Sequence, residues 1–114
     1  MTRVVPIVLV GLVLAFTAAG TAGTATSGVE VSLTLENHRF QPEELRVAAE
    51  IPFVLVITNK DTVPEEFESH DLRIEKVIPG GKTLRLRMPA LKPGTYPFVG
   101  EFHESTAKGR LIVE

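Results

Sequence analysis

Residues Val29 to Glu36, VEVSLTLE, alternate without a break. Val29, Val31, Leu33 and Leu35 fall on one face, and Glu30, Ser32, Thr34 and Glu36 on the other. A period of two describes a strand with one face buried; a helix repeats its apolar residues every three or four positions. The same period returns in LRIEKVI and in KTLRLRMPAL, whose leucines alternate with charged residues, so one face there is wet. EELRVAAE predicts a short strand with Leu45 and Val47 inward. IPFVLVITN is nearly continuous, apolar and β-branched, which predicts a strand buried on both faces. Turn signals separate these runs: NHRFQP, then Pro79-Gly80-Gly81, then Lys92-Pro93-Gly94, with TAKG leading into a last strand, RLIVE. No stretch sustains a helical period. The expectation is an all-β fold, a Greek-key β-sandwich of about seven to eight short strands whose loops cluster at its ends.

The alternation starts only near residue 28. Before it, Arg3 precedes an apolar run from Val4 to Phe16, and small residues follow in TAAGTAGTATSG. That order is the layout of a secretory signal peptide. The run is short of the ~20 residues that span a bilayer, and Pro6 interrupts it. We expect residues 1–25 to be a leader cut near 22–27, after Ala22 or Ala25, and residues 28–114 to be one exported, periplasmic domain. Exported domains of this size often rely on disulfides, yet the chain has no cysteine. Its stability must then come from a hydrophobic core, or from a core and a bound metal. Net charge is −2 and no basic stripe occurs, which excludes nucleic acid as a partner. From Asp61 to Asp71, by contrast, five carboxylates occur with no lysine or arginine, a local asymmetry that favours cations.

Two stretches carry candidate ligands. In EEFESHDL an extended chain puts Glu66, Glu68 and His70 on one face and Glu65 and Phe67 on the other. Phe67 wants the core, so on this pattern Glu66 and Glu68 face outward. In EFHE an extended chain points Glu101 and His103 the same way and Phe102 into the core, and such a carboxylate and imidazole form a natural chelate. His38 lies in the turn after the first strand. Met88 reads as core filling, and Glu104 and Asp71 as solvated. Ser69 and His70 are neighbours in sequence that a strand would separate, and PGG is a turn, so hydrolytic chemistry has no residues to use.

The closing segment KPGTYPFVGEFHESTAKGRLIVE, together with FQPEELRV and VITNKD, resembles the cupredoxin family over the whole of the mature chain. In blue copper members of that family the closing loop supplies a cysteine, a histidine three residues on, and then a methionine. Here the cysteine position falls on Gly100, the histidine is kept as His103, and the methionine position falls on Ala107 or Lys108. The family's first histidine follows a proline after the buried strand; here Pro64 is followed by Glu65, so the resemblance points Glu65 at the metal. Which of Glu65, Glu66 and Glu68 turns inward stays open. A thiolate-bound blue copper site is excluded, because there is no cysteine to build it.

Carboxylates and imidazoles suit Cu(II), Fe(II), Fe(III), Mn(II) or Zn(II) and select against Cu(I). PEEFESHDLRIEKVIPGG and GEFHESTAKG resemble the signatures of small periplasmic cupredoxin-like proteins associated with bacterial high-affinity iron permeases. In that subgroup a histidine commonly precedes the RFQP-like motif, as His38 does here. The resemblance implies a protein accessory to ferrous iron uptake that binds Cu(II), iron or both and assists Fe(II) oxidation. Its implied ligands are His103, Glu101, Glu65, Glu66, Glu68, His38 and His70. Its implied partners are metal ions, an inner-membrane iron permease and other periplasmic iron-uptake proteins. The alternatives are a metal-free module whose acidic end docks a basic surface, and a copper or iron chaperone without redox activity. Monomer and homodimer are both compatible with the strand pattern.

Overall fold

The computed structural model describes Thr2, Arg3 and residues 28–114 of the chain; the expected leader and its cut lie otherwise outside the described residues. Nine strands form among the described residues: β1 (Val29–Glu36), β2 (Arg39–Gln41), β3 (Glu44–Val47), β4 (Phe53–Asn59), β5 (Glu65–Ser69), β6 (Ile74–Ile78), β7 (Thr83–Met88), β8 (Gly94–Gly100) and β9 (Lys108–Val113). One turn of 3-10 helix, Glu101–His103, joins the last two. The first sheet has the order β2-β1-β4-β7 and the second β3-β9-β8-β5-β6. The all-β sandwich expected from the two-residue period is thus present, with short β2 bringing the count above eight.

The core lies between the sheets, where inward residues of both meet. Leu33, Leu35, Leu55 and Ile57 of the first sheet are essentially inaccessible, as are Phe67 and Leu111 of the second. β4 corrects one expectation: its residues alternate between buried and half-buried, so IPFVLVITN is covered fully on one face only. Its outer Val54 and Val56 pair in register with Arg87 and Arg85 of β7, whose side chains are exposed. Beta-branched residues there satisfy strand geometry rather than a second buried face.

Three phenylalanines form the part of the core nearest the loop end discussed below. Phe40 meets Phe67 and Phe98 edge-on at centroid distances of 6.0 and 5.2 Å, and Phe67 lies 5.1 Å from Phe98. Edge-to-face contact is the arrangement ring quadrupoles favour. Each buried ring contributes roughly 1.5–3 kcal/mol, and together they make a rigid apolar floor.

Two local devices shape that end. β1 and β2 form a hairpin closed by Asn37 and His38, both left-handed (φ 53° and 56°), as a two-residue turn matched to strand twist requires. Its backbone amides are held from outside: Asp61 accepts the N–H of Asn37 at 2.7 Å and of His38 at 3.0 Å. Asp61 is placed in turn by the fully buried Asn59, whose side chain accepts the Asp61 N–H and donates to the carbonyls of Val63 and Ile78. A buried amide with its bonds made is a strong specifier of loop geometry.

Candidate metal centre

β5 starts directly after Pro64 and keeps unbroken register with β6, Glu65 opposite Ile78 and Phe67 opposite Lys76. Its burial alternates, with Glu65, Phe67 and Ser69 inward and Glu66 and Glu68 half-buried on the outer face. The two sequence-level arguments about EEFES therefore do not conflict. Glu65 shares the inward face with Phe67, but it sits at the strand's first position, where that face reaches the end of the sandwich. No bulge is needed.

Glu65 is 1% exposed. Its Oε1 accepts the backbone N–H of Phe102 at 2.9 Å and of Glu66 at 3.1 Å, and its Oε2 lies 2.5 Å from Nδ1 of His103. The His103 ring stacks on His38 at a centroid distance of 3.7 Å and an interplanar angle of 17°. His38, Glu65 and His103 each bring one donor atom within 4.8 Å of the others. Asp61, through the turn amides, fixes where the His38 ring stands; those amides, His38's first, hold its carboxyl below the ordinary value.

EFHE departs from expectation. The segment is a 3-10 turn, not an extended strand, so Glu101 and His103 do not share a face. Phe102 is 50% exposed instead of entering the core. The turn sends His103 to Glu65 and Glu101 to the other side of β5, where Glu66, Glu68 and Glu101 form a second group with donor atoms within 4.8 Å. There the shared hydrogen bond with Glu101, then that with Glu75, raises the Glu66 carboxyl to about 7. Glu68 is raised too, by its hydrogen bond with Glu101 first. His70 has a largely solvent-exposed side chain, 3.3 Å from Glu68, and belongs to neither group of three. Ser69 is committed to structure, donating to the Pro97 carbonyl. Met88 is buried, and Asp71 and Glu104 are exposed.

The inner group suits a divalent transition metal. Two imidazoles and one carboxylate are borderline-to-hard donors that leave coordination positions open. Nδ1 of His38 is buried, makes no hydrogen bond and lies 3.6 Å from the Asp61 carboxylate, so it is free to serve as a donor. Gly100 completes the cradle: a Cβ there would come within 2.7 Å of the Glu65 carboxyl carbon, so the carboxylate fills the space a side chain at position 100 would take. Asp61, Asn59 and Gly100 as a space-maker were not singled out by these roles from the sequence, and no periodicity marks them.

This is a cupredoxin-type sandwich with a carboxylate and two imidazoles gathered at its loop end; lacking cysteine, it holds no type 1 copper site. The chain belongs to the cupredoxin-like domain family, which it matches over residues 6–113. It is 40% identical over 85 residues to an uncharacterized protein of Rickettsia prowazekii (strain Madrid E), a match covering 75% of this chain and 68% of that one. Among solved structures it resembles auracyanin A of Chloroflexus aurantiacus, a blue copper protein, with a TM-score of 0.64 and 16% identity over 76% of this chain and 99% of that one. The metal-binding domain of the Cu(I)-exporting ATPase CopA of Streptococcus pneumoniae D39 gives 0.65 and 15% identity, over 78% and 89%.

Proposed function

We propose that the protein binds a divalent transition metal, Cu(II) or Fe(II), through His38, Glu65 and His103, as an exported accessory of ferrous iron uptake. The supporting observation is Glu65: a carboxylate 1% exposed, with no lysine or arginine against it, its second oxygen turned to an imidazole. Burying a carboxylate is costly unless it is paired, and a cation between Glu65 and His103 provides that pairing. A metal competes with protons for imidazole and carboxylate donors, so affinity should rise with pH.

Export rests on the leader-like residues 1–25, and the iron-permease partnership on PEEFESHDLRIEKVIPGG and GEFHESTAKG. A bound Cu(II) would supply an acceptor for one electron from Fe(II), leaving Cu(I) and Fe(III).

Titrating metal-free protein with Cu(II) and Mn(II) while following thermal melting tests the binding reading. A ligand held only by the folded state raises the melting temperature, and His103→Ala should remove the rise. If neither metal moves the melt, the docking module replaces this reading. Stopped-flow measurement of Fe(II) loss tests the redox step; a rate no faster than with free copper removes it.

A further inference from the structure

We propose that Gly100 is the specificity-determining position of this centre: its missing side chain leaves the space in which the Glu65 carboxylate can lie against His103. The inference rests on the metal-binding reading above and concerns which donor that centre offers.

The backbone of Gly100 does not require glycine. Its φ of −90° and ψ of 106° are extended values open to any residue. What requires glycine is volume. A Cβ on residue 100 would lie 2.7 Å from Cδ of Glu65, 2.9 Å from its Oε1 and 2.8 Å from Cβ of Ala107. None of these neighbours gives way freely. Glu65 is tied at both oxygens, to the amides of Phe102 and Glu66 and to the His103 ring. Ala107 is tied by its backbone, its carbonyl accepting from the Gly100 N–H at 2.8 Å and its N–H donating to the His103 carbonyl at 2.8 Å.

Positions 65 and 100 therefore compete for one volume beside His103. With glycine at 100 the volume holds an oxygen donor with a negative charge, and the centre selects divalent cations. With any side chain at 100 the carboxylate leaves, and two imidazoles remain without it. Gly100 is a positioning residue that acts through Glu65 and touches no ligand itself.

A double-mutant cycle on the full chain separates this role from simple packing. Gly100→Ala, Glu65→Ala and the double variant are compared by Cu(II) calorimetry and, metal-free, by the downfield proton resonance of the His103 Nδ1–H bonded to Glu65. In the wild-type background Gly100→Ala should erase that resonance and weaken Cu(II) binding about 10- to 100-fold, the range for changes that misplace a ligand. In the Glu65→Ala background it should alter affinity by no more than about twofold, the scatter of independent sites. Equal losses in both backgrounds, or a Gly100→Ala protein that keeps resonance and affinity, overturn the proposal. Should Gly100→Ala not fold, the cycle is run in an Ala107→Gly background, which relieves the second contact; a folded double variant there supports the proposal and an unfolded one overturns it. A wild type that binds no Cu(II) sinks the metal reading alone, because the resonance still reports whether position 100 places the carboxylate.

Discussion

Glu65 and Glu66 are neighbours in sequence, and alternation along β5 gives them opposite surroundings. Glu65 turns inward, accepts two backbone N–H groups and faces one imidazole. Glu66 turns outward into a group of like charges with Glu101, Glu75 and Glu68, which raises its carboxyl above the ordinary value. The inner carboxylate is enclosed, oriented and matched with nitrogen donors. The outer ones are dense in charge but face each other, with no imidazole among the three that converge. Density of acid is therefore a poor guide to a ligand. Enclosure, fixed orientation and a complementary donor are what distinguish Glu65.

The largest expected effect breaks this comparison at Glu65. Glu65→Gln keeps an acceptor for the amides of Phe102 and Glu66 but loses the charge, so the protein should still fold. Cu(II) affinity should fall more than about 100-fold, beyond what outer-shell changes cost. Metal-free stability should fall by about 1.5–3 kcal/mol, the worth of a hydrogen bond to a charged group. Glu66→Gln, one residue away, should shift Cu(II) affinity by no more than about twofold. Calorimetry and denaturant melts on both variants check this, and similar losses of affinity would erase the distinction.

A second, smaller effect acts through the turn. Asp61→Ala removes the acceptor of the Asn37 and His38 amides, so the left-handed turn loses its anchor and His38 its fixed position. Stability should drop by about 1.5 kcal/mol, and Cu(II) affinity about tenfold. An unchanged affinity would show that the His38 ring is placed by stacking on His103 alone.

How much of this was readable follows from range. Strand alternation is local, so VEVSLTLE and the inward Leu45 and Val47 could be read directly, whereas the pattern leaves open which of Glu65, Glu66 and Glu68 turns inward. That Glu65 sits where the inward face meets the loop end depends on where β5 begins in the sandwich, which Pro64 hints at and pairing with β6 decides. EFHE misled because three residues can close a 3-10 turn as readily as extend, and the bonds that close it come from Glu65 and Ala107, far away in sequence. Asn59 and Asp61 act through side chain–backbone bonds that no composition or period reveals. The resemblance placed Gly100 at a ligand position, but its reason, a carboxylate in the vacated volume, is tertiary.

The outer group offers a titration that sharpens the contrast. Glu66 is raised in the folded protein from its ordinary 4.5 to about 7, by its hydrogen bonds with Glu101 and then Glu75, with Glu68 raised alongside. His70, beside Glu68, pulls Glu68 the other way. The folded state then binds these protons more tightly than the unfolded state, so their contribution is full below pH 4.5 and is lost as pH rises to about 7. The metal-free melting temperature should decline across that window, and Glu66→Gln should flatten the decline. Asp61, lowered from 3.8, acts oppositely: its contribution holds above that pH and fades in more acidic solution. A decline that persists in Glu66→Gln would place its cause elsewhere.

The smallest expected effect lies on the 3-10 turn itself. Phe102 donates its backbone N–H to Glu65 while half of its side chain meets solvent. Its contribution to the centre is thus a main-chain one, unlike the buried Phe67 two positions from Glu65. Phe102→Ser should change stability by no more than about 0.5 kcal/mol, as surface substitutions do, and leave the Cu(II)-induced rise in melting temperature intact. Phe102→Pro, which removes the donated N–H, should weaken that rise. A large loss in the serine variant would mean that the ring itself shields the Glu65–His103 pair from water, and enclosure of the inner carboxylate would then depend on the turn's side chain as well as its backbone.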